Sequence, residues 1–118
     1  MYQVIFNQVS ASEMAGLPKE LQLEILSDFQ IIPEELDQSG DVKWGTVERE
    51  GRRLFRFRAG DYRIYFDRHP EGIMVHRVLH KNTIRDFLYR SSLPLDEDVQ
   101  LGEARDFWKL IEEGEAKR

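Results

Sequence analysis

The chain has 118 residues, 41% of them apolar and 33% charged, which fits one globular domain and is too short for two. No apolar run approaches the roughly 18 residues of a membrane-spanning helix, and residues 1–6 lack the basic and long apolar regions of a secretory signal, so we expect a cytoplasmic protein with no membrane partner. The absence of cysteine excludes disulfides and thiolate catalysis, and His69, His76 and His80 are not spaced like metal ligands. We therefore expect neither a metal nor a cofactor.

The net charge of −5 is unevenly distributed along the chain. Residues 1–45 hold two basic and eight acidic side chains, and residues 91–118 hold four basic and eight acidic ones. Residues 46–90 hold eleven basic side chains, ten of them arginine, against six acidic ones. Because arginine binds phosphate through paired hydrogen bonds, this centre predicts either a nucleic-acid-binding surface or a set of solvated strand faces balanced by the acidic flanks.

The first predicted elements are a strand and two helices. Apolar side chains alternate over residues 2–7, which is typical of a strand. A short helix follows, for which Ser10 or Ser12 is the expected N-cap. A second helix is predicted from Pro18 to Pro33, with an apolar face that repeats every three or four residues. The positions on that face are Leu17, Leu21, Ile25, Phe29 and Ile32.

An antiparallel meander of three or four strands is predicted from Thr46 onward, because the apolar period changes to two and turn residues recur. The expected turns lie at Gly51, at Gly60-Asp61 and at residues 70–72. On the strand over residues 52–58, alternation gathers several arginines on one face, together with a leucine. That face carries Arg52, Leu54, Arg56 and Arg58.

The carboxyl-terminal part predicts two helices. The first has Asn82 or Thr83 as its expected N-cap and is placed against the sheet by its apolar residues. The second covers residues 103–113 and is amphipathic, with acidic residues opposite its apolar side. The apolar residues of the second helix are Ala104, Phe107, Trp108, Leu110 and Ile111.

One stretch of this meander resembles a known family. The segment Leu54–Phe66, which includes Gly60-Asp61-Tyr62-Arg63, is followed by Val75–Lys81, and together they are similar to the RelE/ParE superfamily of bacterial type II toxins. In that family a strand with the pattern R-x-G-D-Y-R-[IV]-x-[YF] precedes one that ends in R-V-G-H-R. The resemblance covers residues 2 to about 90.

The resemblance implies an α+β, RelE-like fold with an N-terminal strand, a helical pair, an antiparallel meander sheet and C-terminal helices. We accordingly predict a toxin domain over residues 1–92 and an acidic amphipathic helical extension over residues 93–118 that packs on the same domain. The extension lies outside the resemblance. As a hypothesis, it either moderates toxicity or forms part of a docking surface for an antitoxin.

The activity that the resemblance implies is ribosome-dependent mRNA cleavage, a metal-independent endoribonuclease reaction that represses translation. The partners would be a cognate antitoxin protein, the ribosome and mRNA. The alternative is a non-catalytic RelE-fold binding protein, or a DNA gyrase inhibitor of the ParE kind, because these activities share the scaffold.

The resemblance also assigns candidate site residues. Arg56, Arg63 and Lys81 match basic positions of the nuclease members and would bind the phosphate that the ribose 2′-OH attacks. Histidine is the residue type suited to proton transfer at neutral pH, so His80, with Tyr89 one turn from the position of the family's helix tyrosine, would assist proton transfer. Two further arginines would extend the RNA-binding surface: Arg58 and Arg85.

Structural roles compete with these assignments. Arg63 and Arg77 could instead pair with nearby acids, and His80 could be a hydrogen-bonded histidine that caps the end of its strand. The acids within reach in the sequence are Asp61, Asp67 and Asp86.

Overall fold

The computed structural model describes residues 3–29, 44–85, 98–99, 101–102 and 104–116. No helix in these ranges is long and apolar enough to cross a membrane. The elements in chain order are β1 (Gln3–Phe6), α1 (Gln8–Ala15), α2 (Lys19–Phe29), β2 (Trp44–Arg49), β3 (Arg52–Ala59), β4 (Tyr62–His69), β5 (Gly72–His80), α3 (Lys81–Arg85) and α4 (Arg105–Ala116).

The five strands form one sheet in the order β1-β5-β4-β3-β2. Strands β2 to β5 are joined as antiparallel neighbours, and β1 adds to β5 in parallel. The chain is therefore α+β with a meander sheet and an N-terminal strand, which confirms the predicted class. The RelE-like character of this fold stays a prediction.

The first face of the sheet packs against α1 and α2. Phe29 of α2 is fully buried, and its ring lies 5.3 Å from that of Phe57 and 5.2 Å from that of Phe66. Ile25, one turn earlier, is buried in the same cluster. The predicted apolar face of the second helix thus packs on the side of the sheet that carries Phe57 and Phe66.

The second face of the sheet packs against the carboxyl-terminal tail, by which we mean the described residues from 98 to 116. Phe107 of α4 is fully buried, with its ring 4.8 Å from that of Tyr65. The Trp108 indole donates a hydrogen bond to the carbonyl of Gly102 at 2.8 Å. This second core also contains Val47, Leu54, Leu79, Ile84, Leu101 and Ile111. The division of the chain at residues 92 and 93 into a domain and an extension stays a prediction.

The helix α1 begins at Gln8, which is earlier than either predicted cap allows. Its N-cap is Asn7, whose Oδ1 accepts a hydrogen bond from the Ser10 backbone N–H at 2.7 Å. Ser10 is the third helical residue, and its hydroxyl accepts a bond from the Asn7 N–H at 3.1 Å. Ser10 therefore completes a capping box instead of starting the helix.

A β-bulge interrupts the alternation of β5. Tyr65 pairs with Arg77 whereas its neighbour Phe66 pairs with Val75, so His76 is the extra residue. As a result Val75 and Val78 are both buried in the first core, although their spacing is odd. Alternation from the sequence alone could not assign the faces of this strand for that reason.

We predict that Phe107→Ala lowers the free energy of unfolding by about 3–5 kcal/mol, because it removes a buried ring from the second core. Denaturant unfolding monitored by circular dichroism measures this change. The control is Glu112→Ala at an exposed position of the same helix, which should change stability by less than about 0.5 kcal/mol. Equal, small effects of both variants would contradict the packing of α4 on the sheet.

Candidate functional site

Two rows of side chains run across the second face of the sheet. Register pairs Gly45 with Arg56, Arg56 with Tyr65, and Tyr65 with Arg77, and we call these four residues the inner row. The next row toward the Gly60 turn pairs Arg58 with Arg63 and Arg63 with Leu79. We call it the edge row because it lies near the ends of β3 and β4, which are interior strands of the sheet. Residues paired across strands lie on the same side of a sheet, so both rows belong to the arginine face predicted from alternation.

The inner row is covered by the tail. Arg56 is fully buried, and its guanidinium forms two hydrogen bonds with Asp98, Nη2 to Oδ2 at 2.7 Å and Nε to Oδ1 at 3.2 Å. Gly45 makes room for this pair, since a Cβ at that position would collide with the guanidinium and the carboxylate. Phosphate has no access to Arg56 in this arrangement, because solvent does not reach the side chain.

Arg77, at the end of the inner row, is also engaged. Its Nη2 lies 2.8 Å from the Glu13 carboxylate, and its Nη1 donates to the Leu110 carbonyl at 2.9 Å. A longer contact of 3.9 Å joins it to Glu113. The guanidinium therefore ties α1 and α4 to the sheet, and its acidic partners come from two helices instead of from the neighbouring strands.

The edge row presents two arginines directly opposite each other. Arg63 is 8% exposed, and its Nη1 donates to the carbonyls of Gly60 and Tyr62 at 3.1 Å each. Arg58 faces it across the ladder and is half-buried. Two like charges at a cross-strand pair are destabilising, so an anion placed beside them would be bound favourably.

Lys81 lies beside the turn that connects β3 to β4. Its Nζ is 3.1 Å from the Asp61 carboxylate, and its backbone N–H donates to the Asp61 carbonyl at 2.7 Å. The hydrogen bond from Lys81 and the charge of Lys81 lower the pKa of Asp61, with smaller contributions from the charges of His80 and Arg63. Asp61 therefore stays ionised at neutral pH and is a weak proton acceptor.

His80 ends β5 and caps the helix that follows it. Its Nδ1 accepts a hydrogen bond from the Asn82 backbone N–H at 3.0 Å, and its ring meets Tyr62 edge-on at 5.1 Å. The helix α3 consequently begins at Lys81, ahead of the predicted caps at Asn82 and Thr83. In the neutral ring this hydrogen bond places the proton on Nε2, which makes Nε2–H the group that His80 could offer to a substrate.

The predicted site residues therefore divide into groups. Arg58 and Arg63 lie in the edge row, and Lys81 lies at the neighbouring Gly60 turn beside Asp61. His80 pairs with Tyr62 and so lies on the first face of the sheet, and Arg56 lies in the covered inner row. Tyr89 lies outside the described residues, as does the side chain of Arg85, the last residue of α3.

Two acidic partners were not predicted from the sequence. They are Asp61, which pairs with Lys81, and Asp98, which pairs with Arg56. Asp61 is adjacent to the family-like turn, so its pairing with Lys81 was within reach of sequence reasoning. Asp98 stands 42 residues from Arg56 and follows Asp96 and Glu97. Nothing in that acidic run distinguishes Asp98 as the residue that is buried.

No group of three acidic or histidine side chains suited to a metal ion occurs among the described residues.

Comparison with solved structures finds chains of toxin–antitoxin complexes. One belongs to the complex RelBE2 from Mycobacterium tuberculosis, with 20% identity, a TM-score of 0.48, and coverage of 67% of this chain and 96% of that chain. Another belongs to the RelB–RelE antitoxin–toxin complex from Methanococcus jannaschii, with 21% identity, a TM-score of 0.47, and coverage of 72% and 99%. No protein-family model and no curated protein matches the sequence. The function of this chain is therefore argued from its own residues.

We predict that Asp98→Asn lowers the free energy of unfolding by about 3–5 kcal/mol, because it removes the negative charge that lies against the buried Arg56 guanidinium. The double variant Arg56→Met with Asp98→Leu should recover most of this loss, since it removes both charges. Denaturant unfolding measures both. Glu48→Gln, which breaks the exposed pair with Arg53, is the control and should cost about 0–1 kcal/mol. Equal costs for the two carboxylate variants would contradict the buried pair.

We also predict that Lys81→Met raises the pKa of Asp61 toward the ordinary value of 3.8. In the intact protein the lowered pKa means that this pairing favours the folded state above the ordinary carboxyl pKa and is lost as the pH falls through the lowered value. Titration of the Asp61 carboxyl by NMR measures the change. Lys19→Met, on an exposed position of α2, should leave the pKa of Asp61 where it is; an equal shift in both variants would contradict a local cause.

Proposed function

We propose that this protein is the toxin component of a type II toxin–antitoxin system and represses translation by cleaving mRNA on the ribosome. The observation that carries the proposal is the segment Gly60-Asp61-Tyr62-Arg63. It resembles the RelE/ParE pattern, and Arg58, Arg63 and Lys81 lie close to it at one end of the strands, with His80 on the other face beside Tyr62. A phosphate group at this edge would meet several cations within a small area.

The proposed reaction needs no metal. The ribose 2′-oxygen forms a bond to the adjacent phosphorus as the bond from phosphorus to the 5′-oxygen breaks, which leaves a cyclic phosphate and a free 5′-hydroxyl. Arg63 and Lys81 would stabilise the additional negative charge of the phosphorane. Arginine is a poor acid or base because its guanidinium stays protonated in proteins, so proton transfer falls to other groups.

Lys81 is able to change partners at small cost. Its ammonium is 38% exposed and the Asp61 carboxylate is 60% exposed, so their pair contributes little to stability. A phosphodiester carries the same single charge as the carboxylate and would replace it, and the more highly charged phosphorane would bind Lys81 more strongly. His80 would then donate a hydrogen bond from Nε2–H to a phosphate oxygen or to the leaving 5′-oxygen. Tyr89 stays a candidate for proton transfer by its resemblance alone.

The second candidate function is a non-catalytic one. Arg56, which matches a basic position of the nuclease members, is buried in an ion pair with Asp98. This burial favours a RelE-fold protein that only binds its partners, or a ParE-like DNA gyrase inhibitor. Inducible expression separates the candidates, because the nuclease stops protein synthesis whereas the inhibitor changes DNA supercoiling.

A cognate antitoxin is the partner that the toxin proposal requires, with the ribosome and mRNA as the target. The acidic flanks give the chain a net charge of −5, which disfavours indiscriminate binding to RNA. The ribosome would instead hold the mRNA at the site, because the net negative charge of the chain does not attract RNA.

We predict that the purified protein cleaves mRNA on bacterial ribosomes and that Lys81→Met slows the cleavage about 10²- to 10³-fold, because it removes a charge that stabilises the phosphorane. His80→Gln should also slow cleavage, while Lys19→Met should not. Primer extension on ribosome-bound mRNA measures the rates. Intact mRNA and normal protein synthesis in cells that contain the folded, soluble chain would overturn the nuclease proposal.

A further inference from the structure

An open cleft of about 420 Å³ lies between the β2–β3 hairpin and the exposed side of α4. Four cationic side chains line it: Arg49, Arg52, Arg105 and Lys109. The helix α4 lies beyond the part of the chain that resembles the toxin family. One side of the cleft is therefore formed by residues outside the resemblance to the toxin family.

The cations around the cleft repel one another in pairs. Arg49 and Arg52 are directly opposite across the two-residue turn of the hairpin, which is the least favourable arrangement of like charges in an antiparallel ladder. Arg105 and Lys109 are four residues apart on one helix, where like charges are also destabilising. The cost between Arg105 and Lys109 diminishes when an anion lies in the cleft, so these two residues favour an anionic partner, whereas Arg52 already has the Glu115 carboxylate beside it.

The cleft is more accessible than Arg56 and Lys81. Arg56 is buried with Asp98, and Lys81 is paired with Asp61 at 3.1 Å. Arg105, by contrast, is exposed and forms no ion pair within the described ranges, and Lys109 approaches Asp106 only at 4.0 Å. An approaching acidic group would meet these two side chains first.

The remaining lining distinguishes between two kinds of anion. Glu50 and Glu112 also line the cleft, and their carboxylates would repel a strand with a phosphate at every nucleotide. A peptide with spaced carboxylates can place its acids on the cations and its polar groups beside the glutamates. Arg52 already binds a carboxylate in this way, with Nη2 2.7 Å from Glu115 while its guanidinium lies 5.6 Å from the Trp108 ring centre.

We propose that this cleft docks an acidic segment of a protein partner. This identification rests on the proposed function. The partner is then the antitoxin, and its acidic segment binds this cleft instead of the inner row, which the tail covers. Arg105 and Lys109 would form the outer ion pairs of the complex, and the attraction would weaken as salt increases.

The test uses the full chain and a fluorescent peptide in which glutamate alternates with alanine. We expect saturable binding that Arg105→Glu weakens about tenfold, because one favourable charge pair becomes a repulsive one. Lys19→Glu makes the same charge change at an exposed position of α2, away from the cleft, and should leave the affinity within about twofold. Fluorescence anisotropy gives the affinities, and NMR shifts of the Arg49, Arg105 and Lys109 amides locate the bound peptide.

Three results would overturn the inference. These are no binding of the acidic peptide, equal weakening by Arg105→Glu and Lys19→Glu, and preferential binding of a poly(U) strand of matched length and charge, which would assign the cleft to nucleic acid. The outcome is separable from the proposed function. Ribosome-dependent cleavage without peptide binding refutes only the cleft, whereas peptide binding without cleavage or growth arrest refutes only the nuclease.

Discussion

The buried ion pair between Arg56 and Asp98 is the constraint on which the arrangement of the chain depends. A guanidinium in the middle of a packed sheet face is tolerated only when a carboxylate meets it with good geometry, and here the carboxylate comes from the tail. The tail must therefore lie across the second face. In that position it also brings Phe107 and Ile111 onto apolar residues of the sheet that would otherwise face solvent.

The same packing decides where chemistry is possible. By covering the inner row, the tail leaves the Gly60 turn, where Lys81 and Asp61 are partly exposed, as the part of this region that solvent reaches. By presenting Arg105 and Lys109 on its outer side, it creates a second cationic surface opposite the β2–β3 hairpin. The tail thus separates a proposed phosphate-binding edge from a proposed protein-docking cleft.

Regular amphipathic patterns made much of this fold predictable from the sequence. In β3 the strict alternation separates Leu54 from Phe55 and Phe57, as predicted, and the structure buries the two faces in different cores. Prediction was wrong or incomplete where a single local or long-range contact decides the outcome. Asn7 and not a serine caps α1, because its side chain reaches the Ser10 N–H from an extended backbone. The bulge at His76 reverses the alternation of side chains between the two faces along β5, and no pattern in the sequence predicts it.

The candidate site was predictable to a different extent. The family-like turn located Arg63 and Lys81 near each other, since one turn and one strand end must meet in a meander. The burial of Arg56 was not predictable, because its partner is distant in sequence and belongs to a run of similar acids. Arg77 likewise pairs with Glu13, 64 residues away. Contacts of this kind depend on how elements pack, which periodicity does not report.

The parallel pairing of β1 with β5 has a consequence for the order of folding. The strand at the amino terminus, Gln3–Phe6, has its ladder partners at Gly72–Val75, so it cannot join the sheet until most of the meander has been synthesised. Loop closure over this separation is slow compared with formation of the hairpins between β2 and β5. During synthesis the meander therefore assembles ahead of its amino-terminal strand. Asp98 emerges later still, so its ion pair with Arg56 forms only after all five strands have been synthesised.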